Sequence, residues 1–213
     1  FHMGVSNTRR CWNMFQLPES VESACNVGCC GIDGCVSTLV GASLVNPDRL
    51  CYVVVGDLTF FYDLNSLGNH HIGTNLRVML VNNGRGTEFR LGIHHCNVFG
   101  DDADKYMAAA GHFGNKSPLL VKHYAEDLGF HYLSATTKEE FMTALSNFTN
   151  PQLSDHSMIL EVFTDSKDES EALYLMSHIQ SDAKGMVRSK LKDAVRNVAG
   201  EKGINAIKKI LKK

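Results

Sequence analysis

At 213 residues, 44% hydrophobic and 21% charged, the chain is long enough for one large globular domain or two small ones with a sizeable core. No apolar run approaches the roughly 20 residues that span a bilayer, and the amino terminus lacks a basic-then-apolar leader, so a cytoplasmic protein without a membrane span is expected. The formal net charge of -2 conceals an asymmetry: Lys184 to Lys213 carries ten basic residues against two acids, and residues 1 to 183 carry eleven against twenty-one.

The chain opens with Phe1 rather than Met, which reads as a piece of a longer polypeptide or a processed chain. Ser6 to Phe15 predicts a short helix ending before Pro18, and Val21 to Cys25 a short strand running into Gly28 and Gly31. Asp33 to Val45 has near-helical spacing of small and apolar residues, stopped by Asn46-Pro47-Asp48. Leu50 to Val55 is a β-branched run of the kind covered on both faces. A helix over Asp63 to Asn69 and a buried strand over Arg77 to Val81 then complete a βαβ crossover, hence a parallel sheet.

Gly84-Arg85-Gly86 begins a long connection to about Phe113, of the length that tends to be functional or mobile, with His94-His95 inside it. Ser117 to Leu128 predicts a helix, Phe130 to Ser134 a strand, and Thr137 to Phe148 a helix capped by Thr136 or Thr137 with Glu139 and Glu140 in its first turn. Met158 to Phe163 is the last strand, followed by a helix over Ser170 to Ile179. Residues 184–213 read as basic amphipathic helices, which dock on this protein or a partner domain, or bind an anionic surface.

Seven cysteines make an odd count with no secretory leader, which favours reduced thiols. Cys25, Cys29, Cys30 and Cys35 lack the paired spacing of a zinc knuckle and are read as small buried hydrophobes.

Asp57 at the end of one apolar strand and Asn82-Asn83 at the end of the next offer a carboxylate and amide oxygens, hard ligands that suit magnesium or calcium. Magnesium keeps part of its shell for phosphate oxygens and water, so a diphosphate cofactor is the natural companion. Gly56-Asp57-Leu58, then 23 residues from Thr59 to Val81, then Asn82-Asn83 resembles the cofactor motif of thiamine diphosphate enzymes. With the flanks Gly31-Ile32-Asp33-Gly34-Cys35-Val36-Ser37-Thr38, Gly56 to Asn65 and Asn82-Asn83-Gly84-Arg85-Gly86, residues 4 to 180 resemble the carboxy-terminal, diphosphate-binding domain of the MenD family. Its members are the 2-succinyl-5-enolpyruvyl-6-hydroxy-3-cyclohexene-1-carboxylate synthases of menaquinone biosynthesis.

The resemblance implies an α/β three-layer sandwich, a mainly parallel sheet with helices on both faces, over residues 1–183; the basic tail, 184–213, lies outside it. It implies magnesium held by Asp57, Asn83 and the carbonyl of Arg85, and thiamine diphosphate contacted by Gly31, Ile32, Asp33, Gly56, Asp57, Leu58, Thr59, Asn83, Arg85 and Gly86. Ile32 matches the residue that props thiamine into its bent form, and Gly31 the carbonyl that holds the aminopyrimidine. Ser6, Arg10 and Phe89 match substrate-facing positions. The implied activity is 2-oxo acid decarboxylation with C-C bond formation, in a homodimer or larger assembly that neither spans a membrane nor binds nucleic acid.

Departures accompany the matches. Asn26-Val27-Gly28 lacks the arginine of the family's Asn-Arg-Gly, Arg85 replaces a glycine, and Glu88 replaces an apolar residue. A donor or acceptor other than 2-oxoglutarate and isochorismate is therefore as consistent with the residues as the authentic synthase reaction. A degenerate, partner-binding thiamine-fold module is the alternative from another class. The family's activating glutamate sits in a pyrimidine-binding domain that this sequence does not contain, so no catalytic residue is assigned and the chain needs that domain from a longer chain or another subunit.

Overall fold

The computed structural model describes residues 1–91, 94–107, 112, 114, 116–152 and 154–179. The expected boundary at 183 and the basic tail at 184–213 lie outside the described residues. The chain divides into two compact units, Phe1–Ser170 and Glu171–Lys213, and the account below concerns the first.

Six strands among the described residues form one sheet: β1 (His2–Met3), β2 (Ala24–Cys25), β3 (Cys51–Gly56), β4 (Leu76–Asn82), β5 (His131–Ala135) and β6 (Met158–Phe163). Their order is β2-β1-β3-β4-β6-β5, and every pairing is parallel. The helices among the described residues are α1 (Asn7–Trp12), α2 (Cys35–Val45), α3 (Asp57–Tyr62), α4 (Ala103–Tyr106), α5 (Leu120–Asp127), α6 (Lys138–Phe148) and α7 (Ser166–His178), with 3-10 turns at Leu64–Gly68, Thr87–Arg90 and His95–Asp102.

Alternation along the strands builds two cores. Val53, Val55, Leu76, Val78, Leu80 and Ile159 point to one face, where they meet Val36, Leu39 and Val40 of α2, Phe60 of α3, and Val121 and Ala125 of α5. Tyr52, Met79, Met158, Leu160 and Val162 point to the other, against Ala144 and Phe148 of α6. Side chains on a strand alternate with period two, so a strand buried on both faces reads as a continuous apolar run. The three-layer α/β architecture expected from the sequence is the one observed.

Differences are local. The two-residue β1 leaves no periodic signal and exists through its pairing with β3, where Gly4 donates its N–H to the Val54 carbonyl at 2.8 Å. A Cβ on Gly4 would stand 2.9 Å from that carbonyl oxygen, so only glycine permits the approach. The helix expected over Asp63 to Asn69 starts earlier, as α3 at Asp57, and continues as the 3-10 turn Leu64–Gly68. The last helix begins at Ser166 rather than Ser170. The capped helix α6 is as expected: Thr137 Oγ1 accepts from Glu140 N at 3.2 Å, and Glu140 Oε2 accepts from Thr137 N at 3.2 Å. The reading of four buried cysteines is corrected: Cys35 is buried, Cys25 half-buried, and Cys29 and Cys30 are exposed in the glycine-flanked turn after β2. All seven cysteines are free thiols.

Candidate functional site

In an all-parallel sheet every strand carboxyl end lies on one side, and ligands favour the crevice where neighbouring connections leave in opposite directions. Here that crevice falls between β1, whose connection runs outward to β2, and β3, whose connection runs to β4 on the other side. Ser6 and α1 follow β1, and Asp57 follows β3.

Gly56 pairs in register with Val81, so Asp57 and the Asn82-Asn83 pair leave adjacent strands at the same level. The two asparagines then part. Asn82 is 6% exposed and donates from Nδ2 to Glu161 Oε1 at 2.7 Å, while the Tyr132 hydroxyl donates to Glu161 Oε2 at 2.7 Å. These three form a structural network on the α5 face of the sheet. Burial pushes the Glu161 carboxyl above its ordinary value, against the two hydrogen bonds it accepts. Burial and the neighbouring Glu161 push the Tyr132 hydroxyl far up.

Asn83 belongs to the loop instead. Its Nδ2 donates to Thr87 Oγ1 and to Glu169 Oε2, both at 2.8 Å, and its Oδ1 accepts from Arg85 N at 3.0 Å. Gly84, with φ 81°, makes the turn between them in a conformation that favours glycine.

Asp57, 2% exposed, accepts from Leu58 N at 2.8 Å through Oδ1 and faces His112 Nε2 at 2.8 Å through Oδ2. His112 Nδ1 accepts from Gly114 N at 2.9 Å, which leaves Nε2 as the protonated nitrogen that donates to Asp57. Burial raises the Glu169 carboxyl, its bonds from Thr164 and Asn83 oppose this, and the Asp57 carboxylate adds to the rise. His112 and Glu169 stand 55 and 86 residues from the side chains they contact, and no local pattern marked either.

The other expected residues fall on the same side of the sheet. Gly31, Ile32 and Asp33 occupy the turn between β2 and α2, with Gly31 and Ile32 half-buried and Asp33 exposed. β2 lies two strands from β3, about 10 Å away. The α2 start is tied to the end of α3 by Ser37 N donating to Asp63 Oδ2 at 2.6 Å. Thr59 is buried in the first turn of α3, and Arg85 and Gly86 follow Asn83.

Arg10 binds Glu88 at 2.5 Å, joining α1 to the 3-10 turn that carries Phe89, whose ring packs edge-on against His94 with centroids 5.2 Å apart. Burial alone would raise Glu88, but hydrogen bonds from Arg10 and Ser6, with the Arg10 charge, hold it below its ordinary value. Ser6 itself has φ 80°, unusual for a residue with a side chain.

As a donor set, Asp57 carboxylate, Asn83 amide oxygen and backbone carbonyl fit a hard divalent cation that completes its shell with phosphate and water. Among the described residues no three His, Cys, Asp or Glu gather as a metal site. Nor, among those residues, is any helix long and apolar enough to cross a membrane.

No family model matches the chain. Curated relatives do. It is 34% identical over 172 residues to the 2-succinyl-5-enolpyruvyl-6-hydroxy-3-cyclohexene-1-carboxylate synthase of Bacteroides fragilis, covering 81% of this chain and 29% of that protein. Over 175 residues it is 35% identical to the synthase of Phocaeicola vulgatus, with the same coverage. With the synthase of Christiangramia forsetii it shares 36% identity over 172 residues, 81% of this chain and 28% of that protein. The chain thus spans under a third of the length of the curated relatives it matches. At the level of the family the resemblance drawn from the motifs is borne out: the chain is a relative of the 2-succinyl-5-enolpyruvyl-6-hydroxy-3-cyclohexene-1-carboxylate synthases, spanning about 29% of the length of the first two named.

Proposed function

We propose that the chain is the diphosphate- and magnesium-binding part of a thiamine diphosphate-dependent enzyme that joins carbon units from a 2-oxo acid. The observation that carries this reading is the level exit of Asp57 and Asn83 from adjacent parallel strands beside the switch crevice. Asp57, Asn83 and the Arg85 carbonyl would hold magnesium; Gly56, Leu58, Thr59 and Gly86 would line the diphosphate, and Gly31, Ile32 and Asp33 the thiamine rings. When bound, thiamine diphosphate supplies the thiazolium carbon that takes up the 2-oxo acid. The chain's own residues bind and orient: buried Asp57 presents fixed oxygens, and half-buried Ile32 offers an apolar prop.

Ser6, Arg10 and Phe89 would face the substrate. The Arg10 guanidinium is already satisfied by Glu88, which supports a donor with less negative charge than 2-oxoglutarate. The identity of about a third with the named synthases supports the second reading, the authentic synthase reaction. Completion of the site falls to a pyrimidine-binding domain, from a longer chain or another subunit, within a homodimer or larger assembly in the cytoplasm.

With that domain supplied, calorimetric titration of thiamine diphosphate with and without magnesium, followed by a screen of 2-oxo acids, tests the proposal. Magnesium-dependent binding with turnover of a 2-oxo acid is expected. Binding indifferent to magnesium would overturn it.

A further inference from the structure

A side-chain amide is an insecure cation ligand, because its oxygen and nitrogen have nearly the same shape. Turning the Asn83 amide by half a revolution would replace the ligand oxygen with a repelling N–H2 group. What prevents the turn is therefore part of the site.

Both ends of the amide are specified. The Arg85 N–H donates at 3.0 Å, and only the amide oxygen can accept from it. Thr87 Oγ1 at 2.8 Å discriminates poorly, since a hydroxyl both donates and accepts and would suit a turned amide equally well. Glu169 is different. As a carboxylate it only accepts, and its Oε2 at 2.8 Å demands the nitrogen. Its other oxygen, Oε1, takes the Thr164 hydroxyl, and Thr164 N is anchored on the Asn82 carbonyl at 3.1 Å. Glu169 lies in the first turn of α7, so the end of β4, the end of β6 and the start of α7 converge on one amide.

We infer that Glu169 is a positioning residue: by holding the Asn83 nitrogen it keeps the amide oxygen, which also accepts from Arg85 N, as the atom offered to the cation. This rests on the proposed magnesium site. Outer partners of metal ligands act in this way, and their loss costs about 10–100-fold in metal affinity.

The test is magnesium titration of the chain with its pyrimidine-binding domain supplied, in saturating thiamine diphosphate, with Asp57→Ala as the control for the site. Glu169→Leu should weaken magnesium by at least about tenfold. Glu169→Gln, whose carbonyl still accepts from Asn83, should restore most of that loss. Asn83→Asp sets two carboxylates against each other and should also lose affinity, but Asn83→Asp with Glu169→Gln returns a donor–acceptor pair in reverse and should recover it. A purely structural glutamate would not produce that recovery, and this arm holds even if Glu169→Leu fails to fold. If Asp57→Ala abolishes binding while Glu169→Leu binds as the parent, or the double variant is no better than Asn83→Asp, the inference falls and the magnesium site stands. If Asp57→Ala binds magnesium unchanged, the magnesium site falls and the inference with it.

Discussion

Asn82 donates to Glu161 at 2.7 Å from the strand next to it, so one asparagine of an adjacent pair is committed to the fold and its neighbour, Asn83, is left for the loop. The cost of this arrangement is a carboxylate in the core. Glu161 is 1% exposed and titrates above its ordinary value of 4.5, with burial as the main cause. The folded state thus holds a proton on Glu161 more readily than the unfolded state. Its contribution is fully favourable below pH 4.5 and is lost as pH rises through the folded value. Glu161→Gln, which still accepts from Asn82 and can donate to the Tyr132 oxygen, should raise the melting temperature near neutral pH, with the gain vanishing in acid. Thermal melts across that range check it.

Helix α6 offers a cleaner stability test, because its cap is exposed and complete. Thr137→Ala removes the side-chain acceptor for Glu140 N. It should cost about 1 kcal/mol, or a melting-temperature loss of roughly 2–4 °C for a chain of this size. Denaturant unfolding should show the same loss with an unchanged slope.

Phe60 links stability to the site. It is fully buried, three residues after Asp57 in α3, and packs edge-on to Phe61 with centroids 5.6 Å apart. Phe60→Ala should cost about 3–5 kcal/mol, a large part of the whole stability of a typical domain. Because the same helix carries Asp57, weakened cofactor binding should accompany the loss of stability. Parallel melts and titrations would show whether the two move together.

Much of this fold was legible because long strands carry their own signal. β3, β4 and β6 are apolar runs, and the Thr137 cap with Glu140 three residues later names its helix outright. β1 was invisible, since two residues have no period and gain their state from β3. The start of α3 was displaced because the signal there is a tertiary one, with Thr59 and Phe60 buried and Phe60 part of the core. Asp57 and Asn83 were singled out by spacing along the chain. His112 and Glu169 were not, because only folding brings them within hydrogen-bond reach.

The Arg10–Glu88 pair bears on substrate choice. Glu88→Gln removes the charge that occupies the guanidinium. With the pyrimidine-binding domain present, kcat/KM for 2-oxoglutarate relative to pyruvate should rise by roughly tenfold, the worth of one charge-assisted hydrogen bond. An unchanged ratio would place Arg10 away from the substrate.

The central claim is that the carboxylate at the end of β3 holds the cation that binds the cofactor. Thiamine diphosphate affinity of Asp57→Ala, measured calorimetrically with and without magnesium beside the parent chain and with the partner domain supplied, tests it most directly. The account predicts that the magnesium-dependent part of binding disappears. Retention of that part at parental affinity would contradict it.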